Sequence, residues 1–125
     1  MTDLLKSQIF GQLKILLGAY SNELVVRGEK THQYNLYGTK EVQLPHKLEK
    51  GMYFASTAIN KGFVGFYFFP IYTHPHEFKN LDPALLKCLK GKSCFHIKKD
   101  DVHLYQAIRA ALAQGYDLYK RIKYL

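Results

Sequence analysis

Four groups of residues have types and spacings that can do chemistry. The first is His74-Pro75-His76-Glu77, two imidazoles and a carboxylate within four positions. Pro75 holds His74 extended, so both rings can sit on one side of the chain. Imidazole and carboxylate donors suit zinc or iron. Tight binding needs three or four ligands converging on one point, and the further donors Asp82, His96 and His103 belong to other elements. Neither His-Glu-x-x-His nor a paired Cys-x-x-Cys occurs. The formal charge of +8 repels a divalent cation. His74, His76 and Glu77 are thus weak metal candidates, and no metal or other cofactor is expected.

The second group is Cys94 with His96, at i and i+2 on an expected strand. They share a face, and an imidazole can lower a thiol's pKa. Their bases stand roughly 6–7 Å apart at strand spacing, and no oxyanion-forming loop is near, so an ordinary cysteine is the simpler reading. No catalytic residue is assigned, and the chain reads as a non-enzyme. The third group is the acid-free run holding Lys87, Lys90, Lys92, Lys98 and Lys99. Its Gly91-Lys92-Ser93 lies between a helix and a strand, whereas a phosphate loop needs strand, glycine loop, helix. Arg, the usual base reader, occurs only at 27, 109 and 121. A solvated lysine surface is the plain reading, and a nucleic-acid adaptor is the alternative.

The fourth group leads. Tyr53, Thr57, Tyr67 and Phe69 fall on one face if Ile59 is paired with Phe63 across a hairpin. Small Ala55, Thr57 and Gly65 among these rings would leave a concavity, and tyrosine hydroxyls would orient a polar ligand there. The partner expected is a small molecule or a protein, with a homodimer contact as another use of the same face.

The elements that position these groups follow from period and punctuation. Leu5, Ile9, Leu13, Leu16 and Tyr20 recur at helical spacing over residues 3–20, with Thr2 or Asp3 as cap. Leu24 to Val26, Tyr34 to Tyr37 and Thr39 to Leu44 read as short strands, with Gly38 turning a hairpin and Pro45 to Lys50 a loop. Residues 52–59 and 63–69 form the strongest strand pair, joined by Asn60-Lys61-Gly62. Both of their faces are apolar, so these strands are expected to be covered on both sides. An extra residue at that turn would swap part of the face assignment.

Asp82-Pro83 opens a short helix that Gly91 would end. Ser93 to Lys98 is a strand with Phe95 and Ile97 on one face. Asp100 or Asp101 caps a final helix with the stripe Leu104, Ile108, Leu112, Gly115 and Tyr119. The 125 residues, 47% hydrophobic and without repeat or linker, make one α+β domain over 1–125: an N-terminal helix, a mainly antiparallel sheet of five or six strands, a short helix and a long C-terminal helix. Met1-Thr2-Asp3 is no basic leader, no apolar run reaches membrane length, and two cysteines make no disulfide framework, so a cytoplasmic protein is expected.

The segments Gly51-Met52-Tyr53-Phe54-Ala55-Ser56, Gly62-Phe63-Val64-Gly65-Phe66-Tyr67 and Gly91-Lys92-Ser93-Cys94-Phe95-His96-Ile97 resemble the YdhG-like family of small bacterial domains, as does the ending Gly115-Tyr116-Asp117-Leu118-Tyr119-Lys120. The likeness covers residues 31–125 and contains no catalytic signature. It implies an α+β fold with a mainly antiparallel sheet and helices near both ends. Some relatives are described as frataxin-like iron chaperones, which implies iron delivery as an alternative role. That role uses an acidic ridge on and near the first helix, where residues 3–20 here hold Asp3 as their one acid. The expectation is a non-enzymatic cytoplasmic binding domain that uses an aromatic sheet face.

Overall fold

The first helix, α1 (Asp3–Gly18), starts where Thr2 Oγ1 accepts the Leu5 N–H at 3.1 Å, supplying a partner for one of the free amides of its first turn. Its leucine stripe buries Ile9, Leu13, Leu16 and Leu17, and Phe10 joins them. The computed structural model describes all of residues 1–125. Eight strands follow from α1, six of them in one antiparallel sheet. They are β1 (Val25–Val26), β2 (Gln33–Tyr37), β3 (Glu41–Gln43), β4 (Leu48–Lys50), β5 (Tyr53–Ile59), β6 (Val64–Phe68), β7 (Leu89–Lys90) and β8 (Cys94–Ile97).

The large sheet has the order β1-β2-β5-β6-β8-β7, and β3 with β4 forms a separate hairpin. Gly38 therefore does not turn a hairpin between neighbouring strands. Strand β2 pairs with β1 and β5 instead, and Leu48–Lys50, expected as loop, is the strand that β3 needs. After β6 come a short helix α2 (Phe69–Thr73), a 3-10 turn at Pro75–Phe78 and the short helix α3 (Pro83–Leu86). Asp82 caps α3 by accepting the Ala84 N–H at 2.8 Å. Gly91 does not end that helix. It sits at φ +80° in the tight turn joining β7 to β8, a conformation open to a residue without Cβ.

The final helix α4 (Val102–Arg121) is capped by Asp101, which accepts from His103 N at 2.8 Å. Leu104, Ile108, Leu112, Gly115 and Tyr119 are all buried, as the spacing requires. Helices α1 and α4 both lie on the same face of the large sheet. The core between them and the sheet contains Leu36, Phe54, Ala55, Val64, Phe66, Phe68, Phe95 and Ile97. The architecture is α+β with helices on one face of the sheet alone. The expectation that the central strands are covered on both sides is thus corrected. No helix is long and apolar enough to cross a membrane.

Two irregularities set which side chains face the helices. The turn between β5 and β6 holds one more residue than expected: Asn60 N donates to Phe63 O at 2.9 Å, and Ile59 pairs with Val64 rather than Phe63. Because side chains alternate with period two, this shift moves every residue of β6 to the other side relative to β5. Val64, Phe66 and Phe68 now share the helix side with Ala55, Thr57 and Ile59. The second irregularity is a bulge where β2 meets β5. Leu36 pairs with Ala55 and Tyr37 with Tyr53, so Phe54 is the extra residue and turns into the core. Tyr53 is left on the opposite side.

Candidate functional site

The uncovered face of the sheet is written by the register. Lys90, Cys94, Tyr67, Ser56 and Asn35 lie in one cross-strand row, and His96, Gly65, Ala58 and Gln33 in the next. Tyr37 and Tyr53 close the row beyond them. Most of these residues are half-buried by one another, with no helix above them. The expected set Tyr53, Thr57, Tyr67 and Phe69 is therefore split. Thr57 is fully buried on the helix side, where its Oγ1 donates to Gly65 O at 2.9 Å; the longer turn places it with Phe66. Tyr53 and Tyr67 stand on the open face, and Phe69 joins them from the first turn of α2 rather than from a strand.

The tyrosines are fixed by their hydroxyls. Tyr53 donates to Ser56 Oγ at 2.6 Å, and Tyr67 OH accepts from Asn60 Nδ2 at 3.0 Å. Burial pushes the Tyr53 hydroxyl well above its ordinary pKa, with the Ser56 hydrogen bond opposing in part, so it is a neutral donor at any physiological pH. Tyr67 is raised for the same reason, opposed by Asn60. The Tyr67 ring lies on Gly65: a Cβ there would meet the ring at 2.6–2.7 Å. The hollow expected over Gly65 is thus filled, and a shallower one of about 280 Å³ opens beside it, lined by Gln33, Asn35, Tyr37, Tyr53, Ser56, Ala58 and Tyr67.

The rings form a continuous band. Tyr37 and Tyr53 have centroids 5.2 Å apart, Tyr53 and Phe69 5.4 Å, Phe69 and Tyr72 5.3 Å. A cation covers each end: Arg27 Cζ lies 4.4 Å from the Tyr37 centroid and Lys92 Nζ 5.9 Å from that of Tyr72. Tyr72 is 50% exposed, the most open ring of the band. Sequence reading missed Tyr37, Tyr72 and Arg27, because the first needed the β2–β5 pairing and the others lie outside any strand pattern.

Four of the five lysines expected as a group converge at the β7–β8 edge. Lys87, Lys90, Lys98 and Lys99 line a cleft of about 450 Å³ with Cys88 and His96. Lys92 is displaced by the β7–β8 turn and lines a larger, more apolar cleft of about 910 Å³ with Ile71, Tyr72, Phe78, Lys79, Leu86 and Leu89. No acid lines the apolar cleft or the hollow among the tyrosines, and the one carboxylate of the lysine cleft, Asp101, caps α4. His96 belongs to both the open face and the lysine cleft. It stacks on Phe63, centroids 3.6 Å apart and planes 7° from parallel. Desolvation, then Lys98 and Lys90, hold its pKa below the ordinary imidazole value.

Cys94 and His96 do share the open face, with no hydrogen bond between their side chains. Burial raises the Cys94 thiol above its ordinary value, against a hydrogen bond from Tyr67, and the His96 ring is turned flat onto Phe63. Cys88 is likewise raised by burial. The metal candidates are drawn apart. His74 Nδ1 is 2.8 Å from Thr73 Oγ1, Glu77 faces Arg121 at 4.0 Å, and His76 is exposed on the 3-10 turn. Asp82 and His103 pair with each other at 2.8 Å. No three His, Cys, Asp or Glu side chains are gathered where they could hold one ion. Compared with known proteins, the chain matches no family model, no curated protein and no solved structure.

Proposed function

We propose that the protein is a non-enzymatic binding domain of YdhG-like type, acting in the cytoplasm, whose ligand lies on the open sheet face. The ligand is anionic and carries a planar ring. One observation supports this reading above the others: a band of four aromatic rings with a cation over each end shares its face with a lysine cleft. Rings offer a stacking surface, the amides of Gln33, Asn35 and Asn60 offer polar contacts at its edge, and the lysines supply attraction for negative charge. A second copy of the chain is a poorer occupant, because two molecules that each carry +8 repel one another. Iron delivery draws no support from the positions of His74, His76 and Glu77.

The test is an amide-shift titration of the labelled protein with adenosine monophosphate and with flavin mononucleotide. Shifts confined to β2, β5, β6, β8 and the α2 turn are expected, and Tyr53→Ala should weaken them. Amides of this face that stay unmoved by both ligands at millimolar concentration would end the reading.

A further inference from the structure

The open face is longer than one nucleotide. From Asn35 on β2 to Lys90 on β7 are four strand steps, roughly 19 Å at ordinary strand spacing. Cations stand at three points around it rather than at one: Arg27 beside Tyr37, Lys92 beside Tyr72, and the lysine cleft beyond Tyr67. A mononucleotide would satisfy one of these places and leave the others facing water. A ligand with repeated rings and repeated charges would engage all three.

We propose, resting on the reading above, that the ligand is single-stranded nucleic acid lying across this face. Its bases stack on the outer side of the Phe63–His96 pair and take the places of Arg27 over Tyr37 and of Lys92 over Tyr72, while those two cations and the lysines of the cleft turn to its phosphates. A sheet with half-exposed rings suits splayed bases, since every base has a π-face. It does not suit a duplex, in which the π-faces of the bases are stacked on one another and closed to side-chain rings. Lysines rather than arginines dominate the rim, so phosphate attraction outweighs base reading and sequence preference is weak. His96, stacked on Phe63 and lining the lysine cleft, adds a flat ring where the two surfaces join.

Fluorescence anisotropy of the full chain with labelled twelve-nucleotide dT and rU oligomers tests this across 50–300 mM salt. If about five phosphates are neutralised, the slope of log K against log salt should approach about −3.5. Tyr72→Ala, at an exposed ring, should weaken binding roughly fivefold or more with the salt slope kept. The double change Lys90→Ala, Lys98→Ala should weaken it and flatten the slope by about 1.4. Equal affinity of the Tyr72→Ala and Tyr37→Ala variants and the parent would overturn the proposal, leaving charge attraction alone. So would a duplex that binds as tightly as the single strand. Oligomers that fail to bind while adenosine monophosphate shifts the amides of the face would sink this inference and spare the parent reading; loss of both would sink both.

Discussion

The two faces of the large sheet are cut from the same strands and are both rich in rings, yet one is closed and the other open. On the helix side stand Phe54, Phe66, Phe68 and Phe95, all fully buried, meeting edge-on or offset at 5.6–6.2 Å. On the other side stand Tyr37, Tyr53 and Tyr67. Ring size barely separates the two sets. The hydroxyl does: a phenyl ring loses nothing when sealed under α1 and α4, whereas a phenol needs a partner, which Ser56 and Asn60 provide at the surface. In β5 and β6, where both parities are aromatic, phenylalanine marks the inward side and tyrosine the outward one, whereas β2 buries Tyr34 on the helix side opposite Thr57.

That contrast is most easily broken at two adjacent residues. Phe66→Ala should destabilise the protein by about 3–5 kcal/mol, through lost burial and the cavity left beneath both helices. Its neighbour Tyr67→Ala removes one hydrogen bond and part of a half-buried ring, and should cost about 1 kcal/mol. Urea unfolding of the two variants decides the matter, and equal losses would mean that the open face is as structural as the closed one. Ile108→Ala, the same experiment from the helix side of the core, should cost about 2–4 kcal/mol. A melting temperature equal to the parent's would show that α4 does not seal the sheet.

Two helical glycines sharpen the contrast at smaller scale. A Cβ on Gly115 would stand 2.5 Å from Phe68 Cζ and 3.0 Å from Pro70 Cγ, so α4 sits as close to the sheet as a glycine permits. Gly115→Ala should cost about 1–3 kcal/mol through overpacking, despite the better helix propensity of alanine. Gly11 on α1 has nothing within 4 Å of the same added atom, and Gly11→Ala should stabilise by about 0.5–1 kcal/mol. Thermal melts of the pair should move in opposite directions.

Much of this fold is legible in the sequence because its signals are local. Thr2, Asp82 and Asp101 cap the helices expected of them, and the stripe from Leu104 to Tyr119 is buried throughout. Phe95 and Ile97 face the core, as alternation requires. What was not legible depends on counting across a turn. One extra residue between Ile59 and Val64 sends Thr57 under the helices, and one bulged residue, Phe54, keeps Tyr53 outside. Neither leaves a mark in composition, since both faces tolerate rings. The lysines were legible as a group, but the β7–β8 turn that carries Lys92 away from Lys87, Lys90, Lys98 and Lys99 was hidden in a segment read as helix end.

The smallest expected effect lies where the open face meets the lysine cleft. His96 packs flat on Phe63 and faces Lys90 from β7 and Lys98 from just past the end of β8, while Lys87, Lys99 and Asp101 line the same cleft. Desolvation and these positive neighbours favour the neutral ring, so its folded pKa lies below the ordinary value of about 6.5. At a pH between the two, the unfolded chain holds a proton that the folded chain refuses. Stability is therefore complete above the ordinary imidazole range and declines as pH falls through it, levelling below the folded pKa. His96→Phe keeps the stacked ring and removes the titration, so the parent should lose stability relative to that variant between pH 7 and 5. The loss is expected to be small, because the ring is only part-buried and salt screens its lysines. Proton NMR of the His96 ring should give the low pKa directly, and inorganic phosphate in the cleft should raise it by offsetting Lys90 and Lys98. A ring that titrates at the ordinary value, and does not respond to phosphate, would show that the lysines point away from His96 and that the open face and the cleft are separate surfaces.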